Sequence, residues 1–197
     1  MSTTDTAISL CSRALILIGA GEISSFDDET TEAKVASELY GQVYRDLLTQ
    51  YDWTFSLRNK QLAKRSDFAI VGNDWAHAFG LPDDFLKARN LQSRDPYELR
   101  LGLAVLLANI ETPVLEYTGL VSELELPPYF VRALVYALAG EFALPVTEDD
   151  QKAFGFMEEA QRRFQRAQVL DAQSSPQNRF APLSDFLDVR RGGGRGW

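Results

Sequence analysis

Residues 127–144 read Pro127-Pro128-Tyr129-Phe130-Val131-Arg132-Ala133-Leu134-Val135-Tyr136-Ala137-Leu138-Ala139-Gly140-Glu141-Phe142-Ala143-Leu144, with only Arg132 and Glu141 charged. Proline suits the first helical turn, so the pair opens a helix. A helix apolar almost all round lies at the centre of a fold or against a neighbouring subunit. Downstream, Thr147 with Asp150 three residues later resembles a helix N-terminus. The helix after it aligns Ala153, Phe156, Met157, Ala160, Phe164, Ala167 and Asp171. Glu158 with Arg162 and Glu159 with Arg163 are i to i+4 pairs that mark a solvated outer face.

Upstream, Ala7, Ile8, Cys11, Ala14, Leu15 and Ile18 recur at spacings of three and four, the period of one helix face. Thr3 or Thr4 caps this helix, and Gly19-Ala20-Gly21 ends it with a left-handed turn. A second helix, with Thr30 or Thr31 as N-cap, carries the stripe Ala36, Leu39, Tyr40, Val43, Leu47 and Tyr51. It runs into Trp53 and Phe55. Between 57 and 126 the helical period disappears and short β-branched and aromatic runs alternate with turn residues. Strands are expected at 75–79, 85–91, 103–107 and 114–118. The expected fold class is therefore mainly α, a four-helix bundle with a small β-sheet insertion between helices 2 and 3. The domain spans 1–172, with helices at 1–56 and 127–172 and the insertion at 57–126. An extended C-terminal docking arm occupies 173–197.

The chain has 197 residues, with 20 Lys and Arg against 28 Asp and Glu, a net charge of −8. Its 45% hydrophobic content predicts a real core. The acidity is uneven: residues 1–57 hold 9 acids and 3 bases, while 173–197 hold two Asp and four Arg. DNA-gripping proteins show a basic face, so tight nucleic-acid binding by this body is disfavoured. The opening residues lack the positive region of a secretory signal. No membrane partner is expected.

With one Cys and one His, Cys11 and His77, the chain cannot supply a zinc site of Cys and His ligands. Gly19-Ala20-Gly21 follows helical rather than strand periodicity, so it reads as a helix end and not a dinucleotide turn. Asp27, Asp28, Glu29 and Glu32 offer oxygens to a hard cation, but their spacing is not that of a calcium loop. Acids favoured by a helix dipole explain them. Trp75, His77 and Phe79 share one face if they lie in a strand, which makes His77 a buried or interface residue. Gly192-Gly193-Gly194-Arg195-Gly196 lacks the Lys-Ser/Thr of a phosphate loop. No cofactor and no enzymatic activity are expected. A small metal-dependent helical enzyme using the carboxylates at 27–32 is the alternative from another class.

Several of these pieces together resemble a known family. Ile23-Ser24-Ser25-Phe26-Asp27-Asp28, Tyr44-Arg45-Asp46-Leu47-Leu48, Tyr51-Asp52-Trp53-Thr54-Phe55-Ser56 and Gln61-Leu62-Ala63 are similar to the N-terminal half of phage head-to-tail adaptors, the tail tubular protein A-like proteins also found in gene transfer agents. Leu81-Pro82-Asp83-Asp84-Phe85, Val114-Leu115-Glu116-Tyr117 and Pro128-Tyr129-Phe130 continue the resemblance, which spans residues 5–172. It implies a dodecameric homo-oligomeric ring in the virion neck, assembled in the host cytoplasm. The ring binds the portal protein on one side and a tail nozzle or stopper protein on the other, with transient non-specific contact with genomic DNA in its channel. A tail-completion or stopper ring is the alternative within this class. The arm residues Phe180, Leu183, Phe186 and Trp197 are expected as apolar anchors, and Arg190, Arg191 and Arg195 as charge partners, toward the portal or a neighbouring subunit.

Overall fold

Thr6 opens the first helix with a reciprocal cap: its hydroxyl accepts from Ser9 N (3.2 Å) while Ser9 Oγ accepts from Thr6 N (2.9 Å). The computed structural model describes residues 5–68 and 74–174, so Thr3 and Thr4 lie outside the described residues and Thr6 is the cap. Helix α1 (Ala7–Ile18) ends at Gly19, whose φ of 83° is the left-handed conformation that glycine adopts without a Cβ clash. Helix α2 (Thr31–Gln50) begins at Thr30, whose hydroxyl accepts from Ala33 N at 3.2 Å. Its buried residues include Ala36, Tyr40, Val43 and Leu47, four of the six in the expected stripe.

Helix α3 (Pro128–Thr147) is the centre of the helical layer, packed by α1, α2 and by α4 (Asp150–Ser174). Phe130, Leu134, Leu138 and Phe142 are fully buried. Length and composition alone would let α3 cross a bilayer. Here its apolar surface is covered by the chain's own helices, which selects central burial over a subunit contact for most of that surface. The two long helices approach closely at Gly140, where a Cβ would stand 3.1 Å from Met157 Cγ and 3.3 Å from Met157 N. The start of α4 differs from expectation. Thr147 donates back to Ala143 O (2.7 Å) within α3, and Asp149 caps α4 by accepting from Lys152 N (2.9 Å). The helix also continues to Ser174, two residues into the segment assigned to the arm.

The expected class, mainly α with a small β-sheet insertion, is corrected: the protein is of mixed α/β class, with two three-stranded antiparallel sheets among the described residues. One has the order β1–β6–β3, from β1 (Leu57–Gln61), β3 (Phe85–Leu91) and β6 (Val114–Gly119). The other has the order β2–β5–β4, from β2 (His77–Gly80), β4 (Tyr97–Arg100) and β5 (Val105–Ala108). Phe79, Leu106 and Ala108 of the second sheet pack on Leu91, Leu115 and Tyr117 of the first, giving the β region a core of its own. Ala78, Val105 and Leu107 face the other way, against Phe68 and Trp75. Trp75 and Phe79 therefore sit on opposite sides of the sheet, not on one face, because Trp75 precedes the strand and does not share its alternation.

The two strands without a sequence signal are both at sheet edges. In β1 all but Arg58 are exposed, and β4 is four half-buried residues. Neither shows the apolar alternation that betrays a strand buried on one face.

Candidate functional site

The helical layer and the β region meet at a polar joint built by the chain segment between α2 and β1. Trp53 is fully buried, and its indole N–H donates to Leu47 O at 2.8 Å. Its ring lies 5.1 Å from Phe130 and 5.5 Å from Phe164, edge-on to both, an arrangement aromatic quadrupoles favour. The next residue, Thr54, donates to the Asp171 carboxylate from both its backbone N (2.9 Å) and its hydroxyl (2.8 Å). Tyr129 donates a third hydrogen bond to Asp171 at 2.7 Å. From the sheet side, Arg89 donates to Trp53 O (2.6 Å), Ser56 Oγ (3.0 Å) and Thr118 Oγ1 (2.9 Å). Burial lowers the Arg89 pKa, and the carboxylates of Asp52 and Asp171 oppose that shift. Ser56, Thr118 and Asp171, each fully buried, all serve this joint, as buried polar groups must be satisfied.

Beside the joint, α3 and α4 leave a cleft of about 600 Å³ lined by Arg132, Arg162, Arg163 and Arg166, with Glu159 as the acid among them and Pro128, Tyr129, Ala167 and Leu170 as apolar floor. Arg163 pairs with Glu159 at 2.8 Å and stacks its guanidinium 3.8 Å above the Tyr136 ring. Arg162 reaches Glu158 at 3.3 Å and Glu159 at 3.7 Å. Among the described residues Arg132 and Arg166 make no ion pair, and Arg163 Nε is buried without a hydrogen-bond partner. In a protein of net charge −8, four arginines and one acid line this cleft. A wider groove of about 1,240 Å³ between α1 and α3 shares Pro128, Arg132 and Arg163 with the cleft and exposes Ile16 and Leu17.

The residues expected as arm anchors, Phe180, Leu183, Phe186, Arg190, Arg191, Arg195 and Trp197, lie outside the described residues. In the sequence Arg162 and Arg163 stand only as partners of their helix neighbours, and the cleft's one signal is Arg132, alone with Glu141 in an apolar run.

The other singled-out residues have local explanations. Gly19 is the α1 C-cap. Asp28 accepts from the backbone N of Ser24 (2.9 Å) and Ser25 (3.1 Å) and from the Ser24 hydroxyl, which holds its carboxyl below the usual range. Among the described residues no three His, Cys, Asp or Glu side chains group as a metal site. Cys11 is fully buried, and burial pushes its thiol up to about 12, so it carries no thiolate at neutral pH. His77 is half-buried and sits 3.0 Å from Glu111, which Lys64 also contacts.

The joint and the sheets give the protein an alkaline limit. Burial, reinforced by Asp171 and Asp84 respectively, pushes the Tyr129 and Tyr117 hydroxyls up to about 12, whereas free phenols ionise near ~10. The unfolded chain alone loses these protons first, so the stability they contribute is whole below pH ~10 and falls as pH rises toward 12. Melting temperature measured from pH 8 to 11.5 is expected to drop steeply above ~10, and Tyr129→Phe to drop less steeply over that range.

Compared with protein-family models and with curated proteins, the chain matches none.

Proposed function

We propose that the chain is a subunit of a head-to-tail adaptor ring, a structural virion protein that joins the portal to the tail and forms part of the DNA channel. One observation carries this reading: the separate segments behind the resemblance touch one another. Trp53 and Phe55 lie 5.1 Å and 5.0 Å from Phe130 of the Pro128-Tyr129-Phe130 segment. Asp84 of Leu81-Pro82-Asp83-Asp84 accepts from the hydroxyl of Tyr117, in Val114-Leu115-Glu116-Tyr117, at 2.9 Å. Segments that form a family's common frame are expected to meet in this way.

The work of such a subunit is mechanical and electrostatic. A ring closes when a heterologous contact repeats through a rotation that returns on itself, and the resemblance implies twelve copies. A net-negative body repels the phosphate backbone, so DNA passes without being held. The arm supplies a docking peptide to the portal or a neighbour. The homo-oligomer, portal and tail partners and the virion location all belong to this proposal.

Light scattering on the purified protein, alone and mixed with its cognate portal, tests it. A ring-sized increment of mass on the portal is the expected result. Binding to the tail nozzle or stopper protein without portal binding would select the tail-completion ring, and an unchanged monomer with both would overturn the adaptor reading.

A further inference from the structure

We propose that the arginine cleft is the seat of residues 183–189 of the same chain, Leu183-Ser184-Asp185-Phe186-Leu187-Asp188-Val189, folded back along α4. This concerns the subunit before assembly and does not depend on the adaptor reading, in which the same arm leaves the cleft for the portal or a neighbour.

The cleft requires an occupant that is both acidic and apolar. Arg132 and Arg166 lack carboxylate partners among the described residues, Arg163 keeps a buried donor unspent, and Tyr129 and Leu170 offer an apolar floor. DNA would satisfy the arginines and leave the floor uncovered. Residues 183–189 match both halves: Asp185 and Asp188 are the only acids of the arm, and Leu183, Phe186, Leu187 and Val189 surround them with no cation in the segment. Arginine–carboxylate pairs are short and directional.

The chain length allows the return. Helix α4 ends at Ser174, 12 residues beyond Arg162, which is ~18 Å at 1.5 Å per residue. The eight residues 175–182 reach ~26 Å when extended, so the segment returns to the cleft with slack. Pro176 and Pro182 oppose a simple continuation of the helix. The cations that follow, Arg190 and Arg191, then emerge past the cleft, where its positive charge directs them outward.

Hydrogen–deuterium exchange on the full-length protein tests this. Amides of 185–189 are expected to exchange about tenfold more slowly than a free chain, and Arg132→Glu with Arg166→Glu to abolish that protection. Both arginines are exposed, and retained protection of α3 and α4 amides serves as the folding control. Adding Asp185→Arg and Asp188→Arg to the double variant is expected to restore protection. Free-chain exchange in the native protein, or protection indifferent to the double variant, would overturn the proposal. So would protection that disappears on dilution, since it would assign the segment to a second copy's cleft.

Discussion

Trp53→Ala is expected to destabilise the protein by about 4 kcal/mol. The indole is fully buried and is ringed by Tyr51, Phe55, Phe130 and Phe164 at centroid distances of 4.9, 5.8, 5.1 and 5.5 Å. Truncation leaves a cavity that rigid aromatic neighbours cannot close, which places it at the upper end of the core-truncation range. It also orphans Leu47 O, the acceptor of the indole N–H. Against a typical total of about 5–15 kcal/mol, such a loss threatens folding at 37 °C. Trp53→Phe, which keeps an aromatic ring but loses the hydrogen bond, is expected to cost about half as much. Urea unfolding followed by far-UV circular dichroism measures both, and a loss under about 1 kcal/mol for alanine would remove Trp53 from the centre of the core.

Asp171→Ala is expected to cost about 3 kcal/mol, because one truncation strands three donors at once. Thr54 N, Thr54 Oγ1 and Tyr129 Oη all donate to this one carboxylate, which is fully buried. Its charge also balances the half-buried Arg89 on the sheet side, so removal leaves a cation short of an opposing charge. Asn is not a neutral replacement. Its amide accepts at one oxygen only, and its NH₂ group would face a donor where the second carboxylate oxygen now accepts. A double-mutant cycle of Asp171→Ala with Tyr129→Phe is expected to show a coupling of about 1 kcal/mol or more. Additive losses would mean that Tyr129 and Asp171 act independently. Since Asp171 lies three residues from the end of α4, the same substitution is expected to loosen the last helical turn, seen as faster amide exchange there.

Much of this could be read from the chain, and the parts that could not share a cause. Thr30, Gly19 and the Pro127-Pro128 pair mark helix ends as expected, because caps and prolines act within four residues of themselves. The stripe of α2 is buried at Ala36, Tyr40, Val43 and Leu47 as its period requires. Trp53 and Phe55 stood out as large anchors. The importance of Asp171 did not, because a lone Asp on a helix line says nothing about donors 117 residues earlier. The arginine cleft was equally hidden, since Arg132 and Arg166 are brought together only by the packing of α3 on α4.

By itself the sequence determined the four helices among the described residues, where α2 and α3 begin and where α1 ends, and that the helix after Pro127-Pro128 is apolar almost all round. These are local matters of period and capping, set by neighbours within a turn. The tertiary structure decided that the segment between α2 and α3 forms two sheets with a core of their own. It also decided that Trp75 and Phe79 face opposite ways, and that Arg132 of α3 and Arg166 of α4 line one cleft. Edge strands such as β1 and β4 bury too little on either face to leave an alternating pattern, and side chains distant in sequence acquire partners only through packing.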